Sequence, residues 1–132
     1  SDEIIELLDR IKPPYNINQA TQELALKALE ETGQVNDMIK EIVAMREALS
    51  EVFHRMPLVQ QVYPSDANFL LVKVRDAGAV YNYLLQQGIV VRDRSKVQLC
   101  DDCLRITIGT EVENTLLVDA MIGFMKQAGA AK

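Results

Sequence analysis

From residue 34 to residue 55, apolar side chains return mostly at steps of three and four: Val35, Met38, Ile39, Ile42, Met45, Leu49, Val52 and Phe53. That spacing predicts one helix of about six turns, long for a small chain. Upstream, Ile4, Ile5, Leu7 and Leu8 predict a short amphipathic helix over residues 2–11. Ser1 is placed to cap it, and Asp2 and Glu3 sit at the positive end of its dipole. Pro13-Pro14 ends it, because proline has no N–H to donate and restricts the residue before it. "KPPYNIN" then reads as an extended link, and Asn18 is placed to cap a second helix with a stripe of Leu24, Ala25, Ala28 and Leu29. Thr32-Gly33 breaks or bends that helix.

After Pro57 the period changes from helical to alternating. "LVQQVYP" reads as a short strand and "NFLLVKV", residues 68–74, as a longer one whose unbroken apolar centre predicts burial on both faces. Residues 76–87 form a helix opened by Asp76 and stopped by Gly88. "GIVVRD" and "LRITIG" are two further strands, the second with Leu104, Ile106 and Ile108 on one face and Arg105 and Thr107 on the other. Thr110 with Glu113 makes a capping box for a last helix, whose expected buried stripe is Leu116, Leu117, Ala120, Met121, Phe124 and Met125. The closing "AGAAK" is expected to fray. Helices followed by β-β-α-β-β-α predict an α+β fold, with helices laid on one face of a mostly antiparallel sheet. The expected division is a helical segment, 1–33, and a domain of residues 34–132.

Composition narrows the classes of function. A chain of 132 residues can bury a real core, and 48% hydrophobic with 25% charged residues is ordinary for a globular protein. A net charge of −5 argues against nonspecific nucleic-acid binding. No apolar run is long enough for a membrane span, and the acidic opening is unlike a secretory leader, so a cytoplasmic location is expected. The abrupt start, a helix with no lead-in, suits either a piece of a longer chain or loss of an initiator methionine before Ser1; both stay open.

"RDRSKVQLCDDCLRITIGT", residues 92–110, concentrates the candidate chemistry. Cys100 and Cys103 form a C-x-x-C, but a structural zinc site needs four ligands, and His54 is the one histidine in the chain. A redox pair of the thioredoxin kind opens a helix, whereas here a β-branched run follows. The pair is expected to be incidental, with no metal bound. Arg92 and Arg105 fall on neighbouring strand ends and can converge on one anion, since guanidinium grips carboxylate or phosphate in two-pronged fashion. They can equally face solvent or pair with Asp93, Asp101 or Glu111; Arg94 and Lys96 read as loop charges. There is no Ser-His-Asp set, no phosphate-cradling glycine loop and no paired carboxylate in an apolar setting.

Four stretches taken in order carry a family resemblance: "IKPPYNIN", "PSDANFLLVKV", "GIVVRDRSK" and "CLRITIGT" followed by "EVEN". Together they resemble the histidinol-phosphate aminotransferases, within the fold-type-I pyridoxal-phosphate family, over essentially the whole chain. The resemblance implies a C-terminal portion, with residues 1–33 bordering a large domain that lies upstream and 34–132 forming the small domain. It implies that pyridoxal 5'-phosphate and its Schiff-base lysine belong to that upstream part, so no catalytic or cofactor-binding residue is expected here, and the isolated chain is expected to be inactive. Lys12, Lys27, Lys40, Lys73, Lys96, Lys126 and Lys132 do not sit in that lysine's motif. It further implies that Arg105, in the "LRI-GT" motif, binds the carboxylate of glutamate or 2-oxoglutarate and the phosphate of histidinol phosphate. Arg92, in the "VRD" motif, is implied to help hold the phosphate. A homodimeric parent, and a hinge at Pro13-Pro14-Tyr15 for small-domain closure, also follow from the resemblance. The alternatives are a relative with aromatic or phospho-amino-acid specificity, and a stand-alone α+β module that binds small anions.

Overall fold

The computed structural model describes residues 2–11 and 17–130. The expected Ser1 cap, the "KPP" link with its hinge at Pro13-Pro14-Tyr15, and Lys12 and Lys132 lie outside the described residues. The chain divides into two compact units, residues 1–37 and 38–132.

In the first unit, α1 (Asp2–Ile11) and α2 (Gln19–Glu30) form where apolar periodicity places them. Asn18 caps α2: its side-chain oxygen accepts the Thr21 N–H at 2.9 Å. The break comes at Glu31, one residue before the Thr32-Gly33 pair expected to cause it, and Gly33 is helical in α3 (Thr32–His54). Neither α1 nor α2 buries a residue; Ile5, Leu8, Leu24 and Leu29 are all exposed.

In the second unit, β1 (Val59–Val62), β2 (Phe69–Val74), β3 (Arg92–Asp93) and β4 (Cys103–Thr107) form one sheet in the order β1-β2-β4-β3. Every pairing is antiparallel. The α+β class expected from the sequence holds. The core lies on one face of the sheet, where Leu70, Val72, Val74, Leu104 and Ile106 meet Phe53 of α3. On the same face they meet Val80 and Leu84 of α4 (Ala77–Gln86) and Leu117 and Met121 of α5 (Glu111–Ala130). Burying each such side chain contributes roughly 1.5–3 kcal/mol. Gly123 lets α4 approach α5: a Cβ there would stand 2.8 Å from the Tyr83 hydroxyl, and the Tyr83 ring meets Phe124 edge-on at 5.4 Å.

Three expectations are corrected. β2 alternates between buried and half-buried residues rather than burying both faces, because the helices of this unit cover only one side of the sheet. "GIVVRD" contributes two strand residues, not six. Its apolar part is used to end α4: Gly88 adopts φ +76°, and the Ile89 N–H reaches back to the Leu84 carbonyl at 2.9 Å. Leu116 is 57% exposed, while Leu117 and Met121 are buried, so the stripe of α5 is narrower than its apolar content suggests. α5 remains helical to Ala130, inside the stretch expected to fray.

Candidate functional site: an arginine pair on the uncovered sheet face

Alternation along β4 sends Leu104 and Ile106 into the core and leaves Arg105 and Thr107 on the opposite face. The register then fixes the neighbours of Arg105. Leu71 of β2 lies directly across on one side and Arg92 of β3 directly across on the other. Residues opposite each other in antiparallel strands point to the same face, with Cβ atoms about 4.5–5.5 Å apart. The two candidate arginines are therefore cross-strand partners, Arg92 exposed and Arg105 half-buried.

Two like charges so placed repel, and their surroundings do little to relieve it. Among the described residues neither arginine has a carboxylate in ion-pair range, so pairing with Asp93, Asp101 or Glu111 is not what the fold uses. Ser95 holds the Asp93 carboxyl below the usual carboxylate range, its backbone N–H donating to Asp93 Oδ1 at 2.8 Å. The Arg105 guanidinium carbon sits 5.2 Å from the centroid of the Phe69 ring, and the Arg105 Nε is buried with no hydrogen-bond partner. A buried donor left unpaired costs about 1–3 kcal/mol, which a bound acceptor would recover.

The strand carrying Arg105 is tied down at both ends. At its start, Asp102 adopts φ +57°, and its carboxylate accepts the Ala77 N–H at the mouth of α4 at 3.2 Å. Just past its end, the Asn114 side chain brackets Gly109, accepting its N–H and donating to its carbonyl, each at 3.0 Å. Thr110 and Glu113 form the expected capping box: Glu113 Oε2 accepts the Thr110 N–H at 2.8 Å, and the Glu113 N–H donates to the Thr110 hydroxyl at 3.3 Å. The Thr110 N–H, together with the Thr110 hydroxyl donating to the same oxygen at 2.9 Å, holds the Glu113 carboxyl below its ordinary value. Sequence reasoning missed Asp102, Asn114 and Phe69. For Asn114 a signal existed, an amide at the head of the face that continues through Leu117 and Met121.

The cysteines lie apart from any such arrangement. Cys100 is half-buried in the turn, Cys103 is fully buried at the start of β4, and both are free thiols. Burial pushes the Cys103 thiol above its ordinary value, and neighbouring Cys100 adds to the shift. No cluster of three His, Cys, Asp or Glu among the described residues is arranged to hold a metal ion. His54 bonds through Nδ1 to the Ser50 carbonyl at 2.7 Å. A cavity of about 430 Å³ lies beside the Asn114 bracket, lined by Val91, Ile106, Thr107, Gly109 and Leu117 among others, and neither arginine lines it. No helix among the described residues is long and apolar enough to cross a membrane.

Residues 1–121 match the family model described as aminotransferase class I and II. The chain belongs to that family. Among the curated relatives of this aminotransferase chain is the histidinol-phosphate aminotransferase of Parabacteroides distasonis, 53% identical over 121 residues, covering 92% of this chain and 35% of the relative. The histidinol-phosphate aminotransferase of Cytophaga hutchinsonii is 46% identical over the same share of each. Among solved structures, that of the histidinol-phosphate aminotransferase from Clostridium acetobutylicum superposes with a TM-score of 0.78 at 25% identity, over 96% of this chain and 39% of the other. The aminotransferase chain thus spans about a third of the length of the curated relatives it matches.

Proposed function

We propose that this chain is the C-terminal portion of a histidinol-phosphate aminotransferase, and that the Arg92–Arg105 pair holds the anionic end of its substrates. The parent would move an amino group between histidinol phosphate and 2-oxoglutarate, giving imidazole acetol phosphate and glutamate; biosynthesis runs this exchange in reverse. The observation that carries the reading is the cross-strand pair itself: two arginines directly across from each other on neighbouring strands, with no carboxylate in ion-pair range among the described residues, one with a buried unpaired Nε. A planar forked donor suits both the carboxylate of glutamate and the phosphate of histidinol phosphate, the two ends one pocket must accept in turn. Names of relatives at 46–53% identity support the same substrate class. The apolar surface of α1 and α2 supports a longer parent, since Ile5, Leu8, Leu24 and Leu29 are large apolar side chains left exposed.

The family is pyridoxal-phosphate-dependent, and the cofactor supplies the amino-transfer chemistry. The described residues do not fit it. A Schiff-base lysine needs a desolvated setting, and Lys27, Lys40, Lys96 and Lys126 are exposed, while Lys73 is half-buried within β2. What this chain supplies is placement. Fixing the anionic end of the substrate sets the position of the amino group at the other end and removes its freedom to tumble, which is the entropic share of catalysis.

The test is made on the full-length enzyme. Arg105→Lys should lower kcat/KM for both substrates by about 30- to 5,000-fold, the equivalent of losing roughly 2–5 kcal/mol of desolvated two-pronged contact. Arg92→Ala should hurt histidinol phosphate more than glutamate. Unchanged kinetics in Arg105→Lys would remove the pair from the site. Higher activity on aromatic or phospho-amino acids than on histidinol phosphate would reassign the substrate. A genomic reading frame that begins at Ser1, or one methionine before it, would favour the stand-alone anion-binding module.

A further inference from the structure

We infer that Phe69 is a positioning residue for Arg105, holding the guanidinium in its anion-gripping orientation through the face of its ring; this rests on the reading of Arg105 given above. Phe69 is paired with Thr107, two residues along β4 from Arg105, so the ring and the guanidinium stand diagonally on one sheet face. That diagonal is within reach of long side chains, and the guanidinium carbon lies 5.2 Å from the ring centroid. Arginine carries several rotatable bonds, and an arginine left to swing loses that freedom each time a substrate binds. A ring fixed beneath it removes part of the loss in advance.

The backbone that carries the ring is itself held. The Ser65 hydroxyl donates to the Phe69 carbonyl at 2.6 Å and accepts the Ala67 N–H at 3.2 Å. From α3, Arg46 donates to the Ala67 carbonyl at 2.8 Å. The Asn68 carbonyl accepts the Ile108 N–H at 2.9 Å, which ties this turn to the far end of the strand bearing Arg105. The "PSDANF" stretch is thus a platform anchored on a helix and a strand, and its exposed product is the position of one aromatic ring. Arg105 Nε, buried and unpartnered, keeps a donor in reserve in that fixed orientation.

The experiment compares Phe69→Leu, Phe69→Tyr and Arg105→Lys in the full-length enzyme, with melting temperatures recorded for each. Phe69→Leu should raise KM for glutamate and histidinol phosphate by roughly 3- to 30-fold with a smaller change in kcat, and Phe69→Tyr, which keeps a π face, should stay within about twofold of wild type. If Arg105→Lys is silent, the reading of the arginine fails and this inference with it. If Arg105→Lys is impaired but folded Phe69→Leu is not, or if Phe69→Tyr is as impaired as Phe69→Leu, only the inference is overturned. Should Phe69→Leu fail to fold, the arginine Nε–H resonances of the wild-type full-length enzyme decide: Arg105 Nε–H should be displaced by the ring current, and an undisplaced resonance overturns the inference.

Discussion

Replacing Asn114 by alanine removes the amide that brackets Gly109. The side chain is buried and makes two bonds of 3.0 Å, one to each backbone group of Gly109. Losing it leaves an N–H and a carbonyl without partners, at about 1–3 kcal/mol each if they stay dry. They will not stay fully dry, because the cavity of about 430 Å³ borders both Gly109 and Asn114 and admits water. The expected loss is therefore near the low end, about 2 kcal/mol, or roughly a 30-fold fall in the folding equilibrium constant. Urea unfolding of the 132-residue chain measures it, and amide hydrogen exchange locates it: the Gly109 N–H should lose protection first. Asn114→Asp separates the two halves, since a carboxylate still accepts the Gly109 N–H but repels its carbonyl. A loss under about 0.5 kcal/mol with the Gly109 N–H still protected would refute the bracket as a structural device, that being the ordinary scatter for surface substitutions.

Gly109→Ala should destabilise the same corner, because its Cβ would stand 2.9 Å from both Cβ and Oε2 of Glu113; nuclear magnetic resonance should show the Thr110 N–H shifting as its carboxylate partner is pushed away. Glu113 should titrate below its ordinary value of 4.5; because its folded pKa is depressed, its contribution is present above that value and is lost as pH falls through the lowered one, visible as faster Thr110 amide exchange in acid than in Glu113→Gln. Cys103 should react with a disulfide reagent far more slowly than Cys100, since it is fully buried with its thiol pushed upward; equal rates would show that the start of β4 opens readily. Asp102→Ala should fray the first turn of α4, at about 1 kcal/mol, read as lost protection at the Ala77 N–H.

The parts of this molecule governed by neighbours in sequence were legible. The helix α4 opens at Asp76, whose carboxylate accepts the Ala79 N–H at 3.0 Å, and closes at Gly88, both visible as residue types at fixed offsets. So was the Thr110–Glu113 box. What depends on partners far along the chain was not. That Ile89 and Val91 would end a helix and enter the core rather than join a strand turns on where the core lies, and a run of apolar residues reads the same in either role. The Arg92–Arg105 register could be suspected from two strand ends but not aligned, because a shift of one residue would turn Arg92 to the other face. Asp102 at φ +57° is a backbone choice made for a helix 25 residues away in sequence, and no local pattern announces it.

The two rims of the sheet also shape how the molecule behaves in a crowded solution. An exposed strand with a long regular ladder is a template on which another molecule can add a strand. Here one rim is β3, only two residues long and bearing Arg92 and Asp93. The other is β1, whose register shifts between Val59 and Gln61. Each rim is too short, too charged or too irregular to seed such growth. The strand that sets Arg92 beside Arg105 is thus also one of two rims, with β1, that offer little template for strand addition.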